Sequence, residues 1–260
     1  MIFDLNIYLG QWPFRRLRHA GASGVSRLLA RAGAGQALAT PLQAVFYKDP
    51  SEGVREMLDD LGPDHPNILP AAMVNPAFPG WERDLRQMVE EWGCVACGVI
   101  PTYHGYRAYD ACATAVFGAL EQMSLPALLF VRLQDERSHP LLMQVPALPV
   151  DDAAYLLKTF PRVPMAICNA NLPAEAPPLA PLLGDRAATL FTTSYKSLQL
   201  ESMVTLLGSE HIAYGSALPL HYPESALFQV QRADIAAADR SRILDGNARA
   251  FLGLSGGLPC

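Results

Sequence analysis

Short apolar runs alternate with amphipathic stretches along the whole chain. The runs are Ile2 to Leu9, Ala37 to Tyr47, Ile68 to Val74, Val95 to Ile100, Ala127 to Leu133, Val163 to Cys168, Ala188 to Thr193 and Ile212 to Gly215. Each is nearly continuous in apolar residues, the pattern of parallel strands covered on both faces. Between them the spacing predicts helices over Val25 to Ala32, Glu52 to Leu61, Trp81 to Trp92, Tyr109 to Met123, Asp152 to Phe160, Leu198 to Leu207 and Pro223 to Gln231, with a last helix from Ser241 to Leu252. After the sixth run, NANLPAEAPPLAPLL carries four prolines, which limits the expected helix from Pro173 to Leu183 to little more than a turn.

Eight alternating units match an α/β fold of the (β/α)8 TIM-barrel type better than a doubly wound open sheet. No linker, repeat or charge block divides the chain, so residues 1–260 are read as one domain. With 260 residues, half of them hydrophobic and 17% charged, the chain has ample material for one large core.

Charge narrows the partners. The net charge is -5 and the 20 Lys and Arg residues are scattered, which leaves no footprint for nucleic acid or an anionic membrane and points to a small-molecule substrate. No apolar run approaches the roughly 20 residues of a membrane span. Five cysteines, an odd number, in a chain whose Met1 leads directly into a strand predict free thiols and a cytoplasmic location. Cys94 and Cys97 have CxxC spacing without a second pair, and read as small buried hydrophobes rather than a redox or zinc motif. The apolar loop LLMQVPALPV and the terminal helix suggest a homodimer.

In such a barrel, chemistry sits where strands end and loops begin. The positions to inspect are Asn6, Tyr8 and GQWPFRR; Tyr47, Lys48 and Asp49; Asn75; PTYHGY; RLQDERSHP; Asn169 and Asn171; Thr193 to Lys196; and Ser216 to Glu224. The loop RLQDERSHP concentrates Arg132, Asp135, Glu136, Arg137 and His139. It is either a solvated loop with local ion pairs or a clamp in which arginines grip a carboxylate while an acid or histidine moves protons. His104, between Tyr103 and Tyr106, is either a packing residue or a general acid/base, since imidazole titrates near neutral pH. Ser216, His221 and Glu224 follow the eighth run, but no GxSxG elbow is present, and Glu224 also suits the first turn of a helix. His19, His65 and His211 are expected on the side away from a site. GxGxxG, GxxxxGK[ST] and HExxH are all absent.

The stretches DLNIYLG with WPFR, ILPAAMVNPAFPGWERDL, VIPTYHGY, IAYGSALPLHYPESAL and ILDGNARAFLGL resemble the amidohydrolase-related proteins of the metal-dependent hydrolase superfamily. Those barrels are related to aminocarboxymuconate-semialdehyde decarboxylase and pyrone dicarboxylate lactonase. The likeness runs over essentially the whole chain and implies a (β/α)8 barrel. Typical members carry D-x-H-x-H on the first strand, a His ending the fifth and sixth strands, and an Asp ending the eighth. Aligned to that pattern, Asp4 keeps the leading Asp, whereas Asn6 and Tyr8 stand at the two His positions, Phe130 at the fifth strand, Asn169 (or Cys168) at the sixth and Ala217 at the eighth.

The resemblance, with these departures, implies a divergent branch without the usual metal centre, because neutral Asn, Phe and Ala cannot supply converging ligands. It implies a metal-independent hydrolase, lactonase or lyase for a small carboxylate-bearing substrate. The candidate acid/base groups are His104, His139, Glu136 and Asp135; the candidate substrate contacts are Asn6, Tyr8, Arg15, Arg132, Arg137, Asn169, Ser216 and His221. No cofactor is expected. The alternatives are a pseudoenzyme serving as a ligand-binding or assembly subunit, and a site rebuilt around zinc or another divalent ion on His104, His139, Glu136 or Asp135.

Overall fold

The computed structural model describes residues 1–141, 143–184, 188–193 and 199–254. Leu142 of the apolar loop, Ser194 to Lys196 of the seventh strand end, Leu198 and Cys260 lie outside them.

Eight parallel strands close into a barrel, as the alternation predicts. The first strand is Ile2–Leu9, the second Ala34–Pro41, and the third is interrupted, running as Ile68–Pro70 and Ala72–Met73. Ala71 bridges the break, its amide donating to the Ala39 carbonyl at 2.8 Å. The fourth to eighth are Cys97–Val99, Ala127–Phe130, Met165–Cys168, Thr189–Thr192 and Ile212–Ala213. Neighbours pair in register, Phe130 opposite Cys168 for instance. Closure comes from the first and eighth strands: the Leu5 and Tyr8 amides donate to the Tyr214 and Leu218 carbonyls at 2.9 and 2.7 Å, and the Ala217 amide to the Asn6 carbonyl at 2.8 Å. Gly215 makes this seam fit, since a Cβ there would stand 2.8 Å from Thr192 Cβ and 3.0 Å from Asn6 Cβ.

The first strand shows how the barrel sorts side chains. Phe3, Leu5, Ile7 and Leu9 alternate with Asp4, Asn6 and Tyr8, and all seven are buried. The period of two sends the apolar set outward to the helices and the polar set into the barrel. Arg249 of the last helix, Asn247–Phe251, indeed stands over the outward Phe3 ring.

Helices follow the strands close to their expected bounds: Ala22–Arg31, Pro50–Leu61, Trp81–Glu90, Ala111–Gln122, Val150–Thr159, Leu200–Leu207 and Pro223–Arg232. The Pro-rich stretch yields only the turn Leu172–Glu175 and a 3-10 segment, Pro177–Leu182. One expectation is corrected. The run Ala37 to Tyr47 is not one strand, because Gln43–Phe46 turns into a 3-10 helix; after the fourth strand, PTYHGY opens on a helical turn, Pro101–His104. The 3-10 turn packs so closely on Pro50–Leu61 that only glycine fits at Gly53, where a Cβ would lie 2.6 Å from Ala44 Cβ. No helix among the described residues is long and apolar enough to cross a membrane.

Candidate active site

The five positions that the resemblance singles out, Asn6, Tyr8, Phe130, Asn169 and Ala217, converge inside the barrel. Asn6 Nδ2 donates to Asn169 Oδ1 at 2.8 Å, and Asn169 Nδ2 donates to Tyr8 Oη at 2.7 Å and to the Arg132 carbonyl at 2.8 Å. Tyr8 packs its ring on Phe130, centroids 5.7 Å apart, and Ala217 bonds the Asn6 backbone. Asn169, rather than Cys168, is the sixth-strand member of this network; the Cys168 thiol turns back toward the Ala166 carbonyl. Asn169 holds a left-handed backbone, φ 59°, which asparagine tolerates better than most residues.

These side chains bond to one another, but Asn6 Oδ1 and Asp4 Oδ2 are buried without a hydrogen-bond partner. Burial pushes the Tyr8 phenol well above its ordinary value, so it is a neutral hydroxyl, and both asparagines are neutral amides. Phe130 and Ala217 offer no side-chain donor atom. A zinc- or manganese-type centre needs several anionic or imidazole ligands on one point, and this set does not fit one. Among the described residues no group of three His, Cys, Asp or Glu side chains is placed to hold a metal ion. Because the Tyr8 hydroxyl is buried in the network, Tyr8→Phe is expected to cost about 1 to 2 kcal/mol in a denaturant melt through the unpaired Asn169 amide; an unchanged melt would show that the bond does not matter.

Asp4 lies on the same inward face. Its Oδ1 accepts from the Ser216 amide at 2.9 Å and the Asn6 amide at 3.3 Å. Burial raises its pKa to about 7, against the pull of those hydrogen bonds. Ser216 is fully enclosed, its Oγ accepting from the Leu218 amide at 3.1 Å, which makes it part of the turn.

The mouth above is closed by aromatic rings from several loops. Trp12 meets Phe14, Phe46 and Tyr103 at 5.5, 5.3 and 6.3 Å between centroids, and Tyr103 meets Phe46 and His139 at 5.9 and 6.2 Å. His139 Nε2 and Tyr103 Oη are hydrogen-bonded at 2.9 Å. Burial lowers the His139 pKa, Glu136 and Asp135 opposing, and raises that of Tyr103. His104 stands apart from this pair. Burial drives its pKa down to about 4, with a backbone hydrogen bond to Val45 opposing, and its ring stacks on Tyr106.

The charged loop does not act as one clamp. Arg137 is 88% exposed and forks onto Asp135 at 2.9 Å through both nitrogens. Asp135 also caps the turn Glu136–Ser138, and Glu136 braces the loop by accepting from the Ala147 amide at 3.0 Å. Arg132 turns inward instead. It donates to the Asn169 carbonyl at 2.9 Å and forks onto Glu175, a partner that sequence reasoning missed. Arg15 and His221 lie away from the barrel centre, in a cleft between the loops after the first and eighth strands. His19 lines the same cleft, which corrects its expected place on the far side. A second cleft, of about 580 Å³, opens beyond the second and third strands and includes Lys48, Asp49, Asn75 and Trp81.

Cys94 and Cys97 are buried free thiols, that of Cys94 pushed up to about 12 by burial, as the apolar reading of CxxC expects.

No protein-family model matches the chain, and no curated protein matches it in sequence. Solved structures share its fold over nearly the full length. A 5-carboxyvanillate decarboxylase from Sphingomonas paucimobilis superposes with a TM-score of 0.75 at 12% identity, covering 98% of this chain and 99% of that one. A dihydroxybenzoic acid decarboxylase from Polaromonas sp. JS666, with bound manganese and the inhibitor 2-nitroresorcinol, gives 0.73 at 14% identity, covering 98% of both chains. A 4-oxalomesaconate hydratase from Rhodopseudomonas palustris gives 0.70 at 14% identity, covering 98% of this chain and 96% of that one. The chain therefore has the TIM-barrel fold of these decarboxylases and this hydratase, the architecture that its resemblance to the amidohydrolase superfamily implies.

Proposed function

We propose that the chain is a metal-independent member of the amidohydrolase superfamily, a hydrolase or lyase acting on a small carboxylate-bearing molecule at the C-terminal mouth of the barrel. The observation that carries the reading is the Tyr103–His139 pair, at the mouth of a barrel whose inner Asn6, Asn169 and Tyr8 side chains are bonded to one another. His139, its pKa lowered, is a neutral base at neutral pH, and Tyr103 supplies a hydroxyl that can pass or hold its proton. Solved barrels of this shape named as decarboxylases and a hydratase agree with lyase chemistry on an organic acid. The manganese in the Polaromonas decarboxylase makes a metal the point to test.

The test combines elemental analysis with a panel of hydroxybenzoates, lactones and dicarboxylates. Turnover is expected to survive chelation, to gain nothing from added manganese or zinc, and to fall by about 10² to 10⁴ in His139→Ala. Near-stoichiometric metal in protein purified without chelator, or turnover unmoved by that substitution, would sink the reading.

One observation favours a pseudoenzyme. Asn6, Tyr8 and Asn169 are at most 2% exposed, so the centre that holds substrate in an open barrel is filled here. A panel without turnover, together with saturable binding of one of its members, would establish that second reading.

A further inference from the structure

The cleft between the loops after the first and eighth strands gathers an unusual share of the chain's positive charge. It encloses about 470 Å³ and is lined by Arg15, Arg16, Arg18, His19, Arg31 and His221. That volume is within the usual range for small-molecule sites. The chain as a whole carries a net charge of -5, so this is local enrichment against the overall sign.

Little in the protein neutralises it. Arg31 pairs with Glu224, but among the described residues no carboxylate pairs with Arg15, Arg16 or Arg18. Guanidinium groups around one concavity repel each other, and low-dielectric walls focus their field. Geometry adds to charge. Arg15 Nη2 donates to the Leu220 carbonyl at 2.8 Å, which draws this guanidinium across to the eighth-strand loop. His19 Nδ1 is buried without a hydrogen-bond partner. The helix Pro223–Arg232 begins at the wall through Tyr222 and Pro223, bringing the positive end of its dipole to the same space. Leu17, Leu28, Leu218, Pro219 and Leu220 supply an apolar floor.

We propose that this cleft binds a small organic oxyanion carrying two or more negative charges, its carboxylate or phosphate groups held by the arginine forks and its carbon skeleton resting on the leucine and proline floor. Guanidinium planes match both kinds of group two-pronged, so carboxylate and phosphate share the chemistry. The site stands independently of the proposed activity, because neither Tyr103 nor His139 lines it.

Isothermal titration on the full chain, at fixed ionic strength, tests this with citrate, glycerol 2-phosphate and inorganic pyrophosphate as probes, and acetate as the monovalent control. Citrate, glycerol 2-phosphate or both are expected to bind one-to-one with a Kd below about 1 mM, and acetate at least about tenfold more weakly. Tight citrate alone assigns the carboxylate source, and tight glycerol 2-phosphate alone the phosphate source; either result, or both, supports the site.

Arg16→Ala with Arg18→Ala is expected to weaken that binding at least about tenfold. Both side chains are exposed, and among the described residues no carboxylate pairs with them, so the melting temperature should hold. A remote control outside the cleft lining, Arg86→Ala on the helix Trp81–Glu90 with Arg162→Ala, whose guanidinium forks onto Glu121, should leave the affinity unchanged. The proposal is overturned if neither citrate nor glycerol 2-phosphate binds with a Kd below about 1 mM, if acetate or pyrophosphate alone accounts for the binding, or if the remote variant weakens it equally.

Discussion

Glu175→Ala is expected to destabilise the fold by about 3 to 5 kcal/mol, because it removes the carboxylate that forks onto a buried guanidinium. The Arg132 side chain is 7% exposed and that of Glu175 19%. Glu175 Oε2 accepts both from Arg132 Nη1 at 3.0 Å and from the Asn171 amide at 2.7 Å. The same Arg132 nitrogen holds the Asn169 carbonyl at 2.9 Å. One carboxylate thus ties the loop after the fifth strand to the turn after the sixth, and steadies the left-handed residue on which the barrel network depends.

At about 2 to 4 °C per kcal/mol for a chain near this size, the melting temperature should fall on the order of 10 °C. A double-mutant cycle with Arg132→Ala separates the pair from its surroundings. The double variant should lose clearly less than the sum of the singles, since removing both charges leaves neither stranded. A melt of Glu175→Ala within about 1 kcal/mol of the parent would mean that water or another group takes over the arginine, and the structural role assigned to the pair would fail.

The fold was legible because the signal for it is local. Near-continuous apolar runs of strand length, separated by helical periodicity, have few other solutions, and all eight strands formed where the runs lie. The error at Ala37 to Tyr47 has a tertiary cause: AVFY reads as strand by composition, but Leu42 to Phe46 bends to meet Gly53 across the barrel rim. The candidate site was legible as strand-end positions, which named Asn6, Tyr8, Arg132, His139 and Asn169. Partnerships were hidden by distance in sequence. Arg132 finds Glu175 43 residues away, Tyr103 finds His139 36 away, and Asp4 finds Ser216 212 away. A loop as charged as RLQDERSHP looks like one unit in sequence, yet its two arginines face opposite environments.

Asp4 keeps the leading Asp of the resemblance without being a candidate residue, and its burial predicts a pH dependence opposite to that of an ordinary paired carboxylate. Its pKa is about 7 in the folded chain against 3.8 as the reference, with burial the largest cause. Between these values the folded state holds a proton that the unfolded state has released, so unfolding stability declines as pH rises through the window. The contribution is fully present below pH 3.8, is lost progressively, and levels off above about 7. Three pH units of such a shift correspond to roughly 4 kcal/mol. Asp4→Asn keeps an oxygen for the Ser216 amide and removes the titration. Compared with the parent by urea unfolding from pH 4 to 8, the variant is expected to gain relative stability steadily, by about 4 kcal/mol over the range. A difference that stays flat with pH would show that Asp4 titrates alike in both states, and would return it to the role of a simple acceptor for the turn at Ser216.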